Sequence, residues 1–212
     1  MPIDRDRILQ EALAVLNEVG IDKLSTRKLA ERLGVQQPAL YWHFKSKSLL
    51  LDALNSEMLR RFHNHRLPEP GENWIGFTYA TARSMRRTLL AVRDGARLAA
   101  GTRPSDTDFA DAESQLKLYV DAGFSPQEAL HISIAVARYV VGFVLEEQGE
   151  RVRMEEDAGA TGDIESELAP FPILAEAFAS LVTGHSINTE AAFDQGLDYL
   201  VDGMKAALEA KA

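Results

Sequence analysis

Between Ser25 and Lys47 the chain holds two helix-start signals, one glycine stop and one proline, a span with room for two brief helices about a tight turn. Ser25 or Thr26 caps the first, Leu29, Ala30 and Leu33 form its apolar face, and Gly34 ends it. Gln37-Pro38 opens the second, because proline is tolerated in a first helical turn, and that helix ends near Phe44-Lys45. Two short helices about a glycine turn form the helix-turn-helix pattern, whose second helix fits the major groove of DNA.

In that second helix Leu40 and Phe44 lie four apart and face inward, which puts Gln37, Pro38, Tyr41, His43 and Lys47 within reach of one surface. Glutamine can bond adenine bidentately and proline can touch a thymine methyl. Arg27, in the first turn of the preceding helix, can reach guanine, whereas Tyr41, His43 and Lys47 suit phosphate. The competing reading makes Tyr41-Trp42-His43-Phe44 a helix-end aromatic cluster packed on the first helix.

Charge favours a polyanion locally. Residues 1–66 hold 11 Lys and Arg against 8 Asp and Glu, and Lys23 to Lys47 carries six bases and one acid, Glu31. The rest of the chain is acidic and brings the formal net charge to -9, which opposes a broadly basic, architectural DNA binder.

Elsewhere the pattern is helical throughout. Asp4 opens a helix that Gly20 stops, and Ser46 caps a fourth reaching about His65. Further helices are expected over Trp74–Val92, Gly95–Ala100 and Asp106–Ala122. Ser125-Pro126-Gln127-Glu128 is a capping box that starts a helix to about Gln148, apolar almost all round from Ala129 to Leu145. Glu146 to Glu167, with nine acids and no periodicity, reads as a mobile loop. Helices from Leu168 to Val182 and from Thr189 onward complete an all-α chain; the last one carries Phe193, Leu197, Leu200, Val201 and Met204 on one stripe. Both this helix and the one from Ser125 are expected to serve a homodimer.

The chain lacks cysteine, which removes disulfides, thiolate metal sites and cysteine nucleophiles. The charged N-terminus resembles no signal peptide, and Ile132 to Leu145 is shorter than the roughly 18 apolar residues of a membrane span, so a cytoplasmic protein without a membrane partner is expected. His63 and His65, two apart, would point to opposite sides of a helix and make a poor metal pair. An all-helical enzyme using Glu146 and His63 as acid and base is the other functional class, but no nucleophile motif or phosphate loop accompanies them, and no enzyme is expected.

The runs Leu24-Ser25-Thr26-Arg27-Lys28-Leu29-Ala30 and Gln37-Pro38-Ala39-Leu40-Tyr41-Trp42-His43-Phe44-Lys45-Ser46-Lys47 resemble the DNA-binding domain of the tetracycline repressor (TetR) family. Arg93-Asp94-Gly95-Ala96, Gly101-Thr102-Arg103-Pro104, Gln115-Leu116 and Val144-Leu145-Glu146 resemble its ligand-binding core, so the similarity covers most of residues 4–148. The resemblance implies a three-helix DNA-binding domain over 1–47, a connecting helix over 48–66, and a helical ligand-binding and dimerisation domain over 67–212. It implies a transcriptional repressor released from a palindromic double-stranded operator by a small molecule.

It also puts Thr26, Arg27, Gln37, Pro38, Tyr41, His43 and Lys47 at DNA-contacting positions, with Ala39 where the family has a hydroxyl. His63, Thr81, Met85, Thr102, Arg103, Pro104, Gln115, Leu116 and Glu146 fall around the effector cavity. In the family a tetracycline enters with a magnesium ion ligated by a histidine just before the Gly-Thr-Arg-Pro turn; here that position is Ala99. Thr102 and Glu146 match roles that hold ordered waters, and an ion without its direct protein ligand binds poorly. The expectation is therefore an apolar or aromatic effector with no metal cofactor, a tetracycline-responsive repressor being the alternative.

Overall fold

Asp4, Ser25, Ser46 and Thr189 each sit one residue before a helix in the computed structural model, with a side-chain oxygen accepting the N–H of Arg7, Lys28, Leu49 and Ala192 respectively. The structure describes residues 4–102, 109–156, 164–181, 187 and 189–211. Among these there is no strand. The helices are α1 (Arg5–Val19), α2 (Thr26–Leu33), α3 (Gln37–His43), α4 (Lys47–Phe62), α5 (Trp74–Ala91), α6 (Gly95–Ala100), α7 (Phe109–Asp121), α8 (Pro126–Glu156), α9 (Ile164–Leu168), α10 (Pro172–Leu181) and α11 (Glu190–Glu209). They divide into two compact units, residues 1–144 and 145–212.

In the first unit α1 packs on α2 and α4, and α2 packs on α3. Ile8, Leu16, Leu29, Leu40 and Leu54 supply the buried faces, so the three-helix head owes its stability to an ordinary apolar core. Gly34 takes the left-handed conformation that ends α2, which turns the chain into α3. Helix α4 also packs on α5 and α6. Beyond it Trp74, Phe77, Tyr119 and Phe124 form an aromatic cluster, Trp74 and Phe124 meeting edge to face at 5.4 Å.

The turn between α5 and α6 is tightly specified. A side chain at Gly95 would run into the carbonyl oxygen of Leu89, and Asp94 before it adopts a left-handed φ of 56°. From there Asp94 Oδ2 accepts the N–H of Ile21 at 2.8 Å, while Arg97 on α6 donates to both carboxylate oxygens of Asp22 at 2.9 Å. Arg93 N–H donates to Asn17 Oδ1 at 2.9 Å. These bonds tie the α5–α6 turn to the end of α1 and the loop after it.

Helix α8 begins at the expected capping box, with Ser125 N–H donating to Glu128 Oε2 at 2.8 Å and Glu128 N–H donating back to Ser125 Oγ at 3.3 Å. Ala129, Ile132, Val136, Val140 and Val144 are buried at helical spacing, a core line of the first unit. Two expectations fail along this helix. The acidic stretch from Glu146 is not a loop throughout: α8 continues to Glu156 and Ile164–Leu168 is helical, while 157–163 lie outside the described residues. Glu, Gln, Arg and Met are good helix formers, and pairs such as Glu147–Arg151 at 3.2 Å support a helix whose apolar periodicity has run out. Pro126–Met154 is also long and apolar enough, by length and composition alone, to cross a membrane, which counting only Ile132 to Leu145 missed.

In the second unit α10 starts at Pro172, later than the expected Leu168, because Pro170 and Pro172 disfavour helix in the residues before them. It packs on α9. Helix α11 buries Phe193, Leu197, Val201 and Met204.

Candidate functional site

The head of the first unit presents the expected DNA face. Arg27, Pro38, Tyr41, His43 and Lys47 are exposed, with Thr26 and Gln37 half-buried between them. Gln37 Nε2 donates to Thr26 Oγ1 at 2.9 Å, which orients the glutamine side chain. Arg27 Nε donates to Glu31 at 3.2 Å in an exposed pair of little strength. Leu40 and Phe44 are both buried, as their spacing implies. The aromatic-cluster reading of Tyr41 to Phe44 therefore holds only for Phe44, over whose ring Arg5 sits at 5.3 Å.

Trp42 was missed. It is 89% exposed, the most exposed of the large apolar groups on this head, and sits beside Tyr41 and His43. Its place two residues after inward-facing Leu40 was the available signal.

The second group of residues surrounds the end of α4. His63 is buried and caps that helix; its Nδ1 lies 2.8 Å from Ser84 Oγ and its Nε2 3.4 Å from Thr81 Oγ1. Burial, and then the charges of Arg66, His65 and Arg87, lower its pKa to about 4, so the imidazole is neutral at pH 7. Gln115 Nε2 donates to the carbonyl oxygen of Arg66 at 2.8 Å, which attaches α7 to the segment after α4. Met85 and Leu116 are half-buried.

Arg103 and Pro104 lie outside the described residues. Glu146 is exposed on α8 in the second unit, whereas its neighbour Glu147 is buried and pairs with Arg151. Thr102 Oγ1 donates to the carbonyl oxygen of Ala99 at 3.2 Å. Ala99 brings no donor side chain, and among the described residues no three His, Asp or Glu cluster closely enough to hold a metal. The position that the resemblance assigns to a direct magnesium ligand thus carries no donor atom. His65 is engaged elsewhere, with Nε2 2.9 Å from Glu72. Ser84 and Asn64, whose side chains meet at 2.9 Å beside His63, were not anticipated.

Known proteins share this arrangement along nearly the whole chain. Residues 8–54 match the family described as bacterial regulatory proteins, tetR family, and residues 67–208 match the tetracyclin repressor-like C-terminal domain. The class G tetracycline repressor protein of Vibrio anguillarum is 46% identical over 207 residues, covering 96% of this chain and 94% of that one. A tetracycline repressor variant from Acinetobacter baumannii AYE, solved in complex with minocycline, is 43% identical with a TM-score of 0.79, covering 97% of this chain and 95% of that one. The class A repressor solved with 5a,6-anhydrotetracycline and magnesium is 37% identical with a TM-score of 0.72, covering 96% and 99%. With a helix-turn-helix head of the right geometry and matches to both family domains, the chain belongs to the TetR family of bacterial regulators, as a DNA-binding transcriptional repressor and not an enzyme.

Proposed function

We propose that this repressor binds a palindromic operator as a homodimer and leaves it when a small aromatic effector binds near the end of α4, without obligatory magnesium. Residues 1–47 serve as the reading head, 48–66 as the connection and 67–212 as the effector and dimer domain, and the protein works in the cytoplasm. Thr26, Arg27, Gln37, Pro38, Tyr41, His43 and Lys47 touch DNA. His63, Thr81, Met85, Thr102, Gln115 and Leu116 border the effector site.

The observation that carries this reading is the course of α4. It starts at Lys47 on the DNA face, ends at His63, and packs on α1, α5 and α6 on the way. A ligand touching His63 can thus move the head, provided it binds the DNA-incompetent state more tightly than the competent one. The dimer is supported by apolar groups left at the surface, Leu130 and Leu145 on α8 and Tyr199 on α11.

Independence from magnesium rests on Ala99 and on the engagement of Thr102 with its carbonyl oxygen. A tetracycline–magnesium effector is the second reading, favoured by the ligands of the similar solved repressors. Calorimetry of tetracycline with and without magnesium, on wild type and on Ala99→His, separates them. Chelator-sensitive tetracycline binding by the wild type would overturn the metal-free reading; such binding by Ala99→His alone would support it.

A further inference from the structure

Arg5 is the first residue of α1, where the helix dipole already places positive charge, so a cation there costs stability instead of adding to it. Its guanidinium stands over the ring of Phe44, 5.3 Å from the centroid. Phe44 is 4% exposed and ends α3, between the exposed residues His43 and Lys45. Arg5 itself is exposed, and no carboxylate among the described residues pairs with it. Asp4 is taken up as the helix cap, accepting the N–H of Arg7 at 2.7 Å, and Asp6 leaves the helix about 100° away from Arg5. A cation without a counter-charge thus lies at the seam where α1 meets the end of the recognition helix, in a place that helix energetics disfavour.

We propose that Arg5 is a further DNA-binding residue: held over Phe44, it contacts a backbone phosphate on the wall of the groove that flanks the end of α3, beyond the phosphates met by His43 and Lys47. The inference rests on the reading above that His43 and Lys47 face the DNA backbone. Phosphate is favoured over a base edge by position. Gln37 and Pro38, which read bases, open α3, whereas Arg5 stands at its other end, about 10 Å away along a helix of seven residues. Contact with a ring face steadies the guanidinium without cancelling its charge, so the charge remains for a polyanion. The ring also restricts a long side chain in advance, and less freedom is lost when DNA arrives.

Binding is read on full-length protein with a duplex that it enriches from a randomised pool, by fluorescence anisotropy over a range of potassium chloride concentrations. Arg5→Ala should weaken binding to the enriched duplex and to a scrambled one alike, and should reduce the slope of log K against log salt by about 0.9 for each Arg5 engaged. Arg5→Lys keeps the charge and should keep the slope. If Arg5 only covers Phe44, Arg5→Ala would move the denaturation midpoint and leave the salt slope at its wild-type value, which would overturn the inference. Lys47→Ala measured in parallel separates the two levels. A reduced slope from Lys47→Ala alone sinks the role of Arg5 and leaves the DNA face standing; an unchanged slope from both variants sinks the DNA face as well.

Replacing one phosphate at a time by a neutral methylphosphonate then locates the contact. Wild type should lose about fivefold in affinity at one position outside those to which Lys47→Ala is indifferent, and Arg5→Ala should be indifferent to that replacement. Phe44→Leu keeps an apolar side chain in the core and removes the ring face, so it should show a smaller loss at the Arg5 position and the wild-type loss at the Lys47 position. If no position distinguishes Arg5→Ala from wild type, Arg5 touches no phosphate and the inference fails.

Discussion

Asp94 Oδ2 accepts the backbone N–H of Ile21 at 2.8 Å, joining residues 73 apart in sequence. The bond gives the first amide after Gly20 a partner, and it does so from a turn whose own backbone is held left-handed. Gly20 makes room for it, since a side chain there would meet the same carboxylate oxygen at 2.9 Å. Asp94→Ala should therefore destabilise the fold by about 2–3 kcal/mol, from one orphaned amide plus left-handed strain in a residue that tolerates it poorly. Asp94→Asn keeps an acceptor and tolerates that conformation, and should lose less than about 1 kcal/mol. Chemical denaturation of the two variants against wild type checks the difference.

On the DNA face, Arg27→Ala and Gln37→Ala should each weaken specific operator binding by about 1–3 kcal/mol and relax discrimination at one base pair. Lys47→Ala should instead weaken all sequences alike and flatten the dependence on salt. Fluorescence anisotropy with operator variants at several salt concentrations distinguishes the two classes. If Gln37→Ala bound every operator variant as wild type does, α3 would not be the reading helix.

Tyr199, 72% exposed on α11, can accept a charge without disturbing the chain's own core. Tyr199→Glu should give folded monomers that lose operator affinity, since a two-fold dimer spans half-sites about 34–36 Å apart and a monomer engages only one. Sedimentation equilibrium measures this, and a wild type that already sediments as a monomer would remove the dimer from the proposal.

His63 predicts an acid sensitivity whose sign follows from its neutrality. Its pKa is about 4 in the folded protein against 6.5 for an unperturbed imidazole, so the unfolded chain binds the proton first. Stability is complete above about pH 7 and falls as the pH drops from 6.5 through 4. Between pH 7 and pH 5 the loss should be about 2 kcal/mol. His63→Gln should be less stable at neutral pH yet lack this part of the acid slope. Denaturation midpoints at the two pH values decide it.

Much of this molecule could be read residue by residue, because its helices advertise their beginnings. Asp4, Ser25, Ser46, Ser125 and Thr189 are local signals, and each marks a helix start in the structure. The end of α8 was hidden because Glu150, Arg151 and Arg153 carry a helix by propensity and charge pairing, which leaves no apolar rhythm to detect. The site was legible in its candidates but not in its wiring. Nothing local in Asn64 or Ser84 announces that they meet, 20 residues apart, beside an imidazole. The bond from Asp94 to Ile21 is invisible for the same reason, whereas Trp42 was readable from Leu40 and overlooked.

The chain has two tryptophans, and their surroundings could hardly differ more: Trp74 is 8% exposed in the aromatic cluster, and Trp42 stands in water on the recognition helix. An indole in apolar packing emits toward the blue and one in solvent toward the red, so the native emission band is a sum of two separable colours. Operator docking should quench the red component, and loosening of the aromatic cluster should move the blue one. Without any attached dye, a single spectrum can therefore report whether the repressor has left its DNA or has begun to unfold.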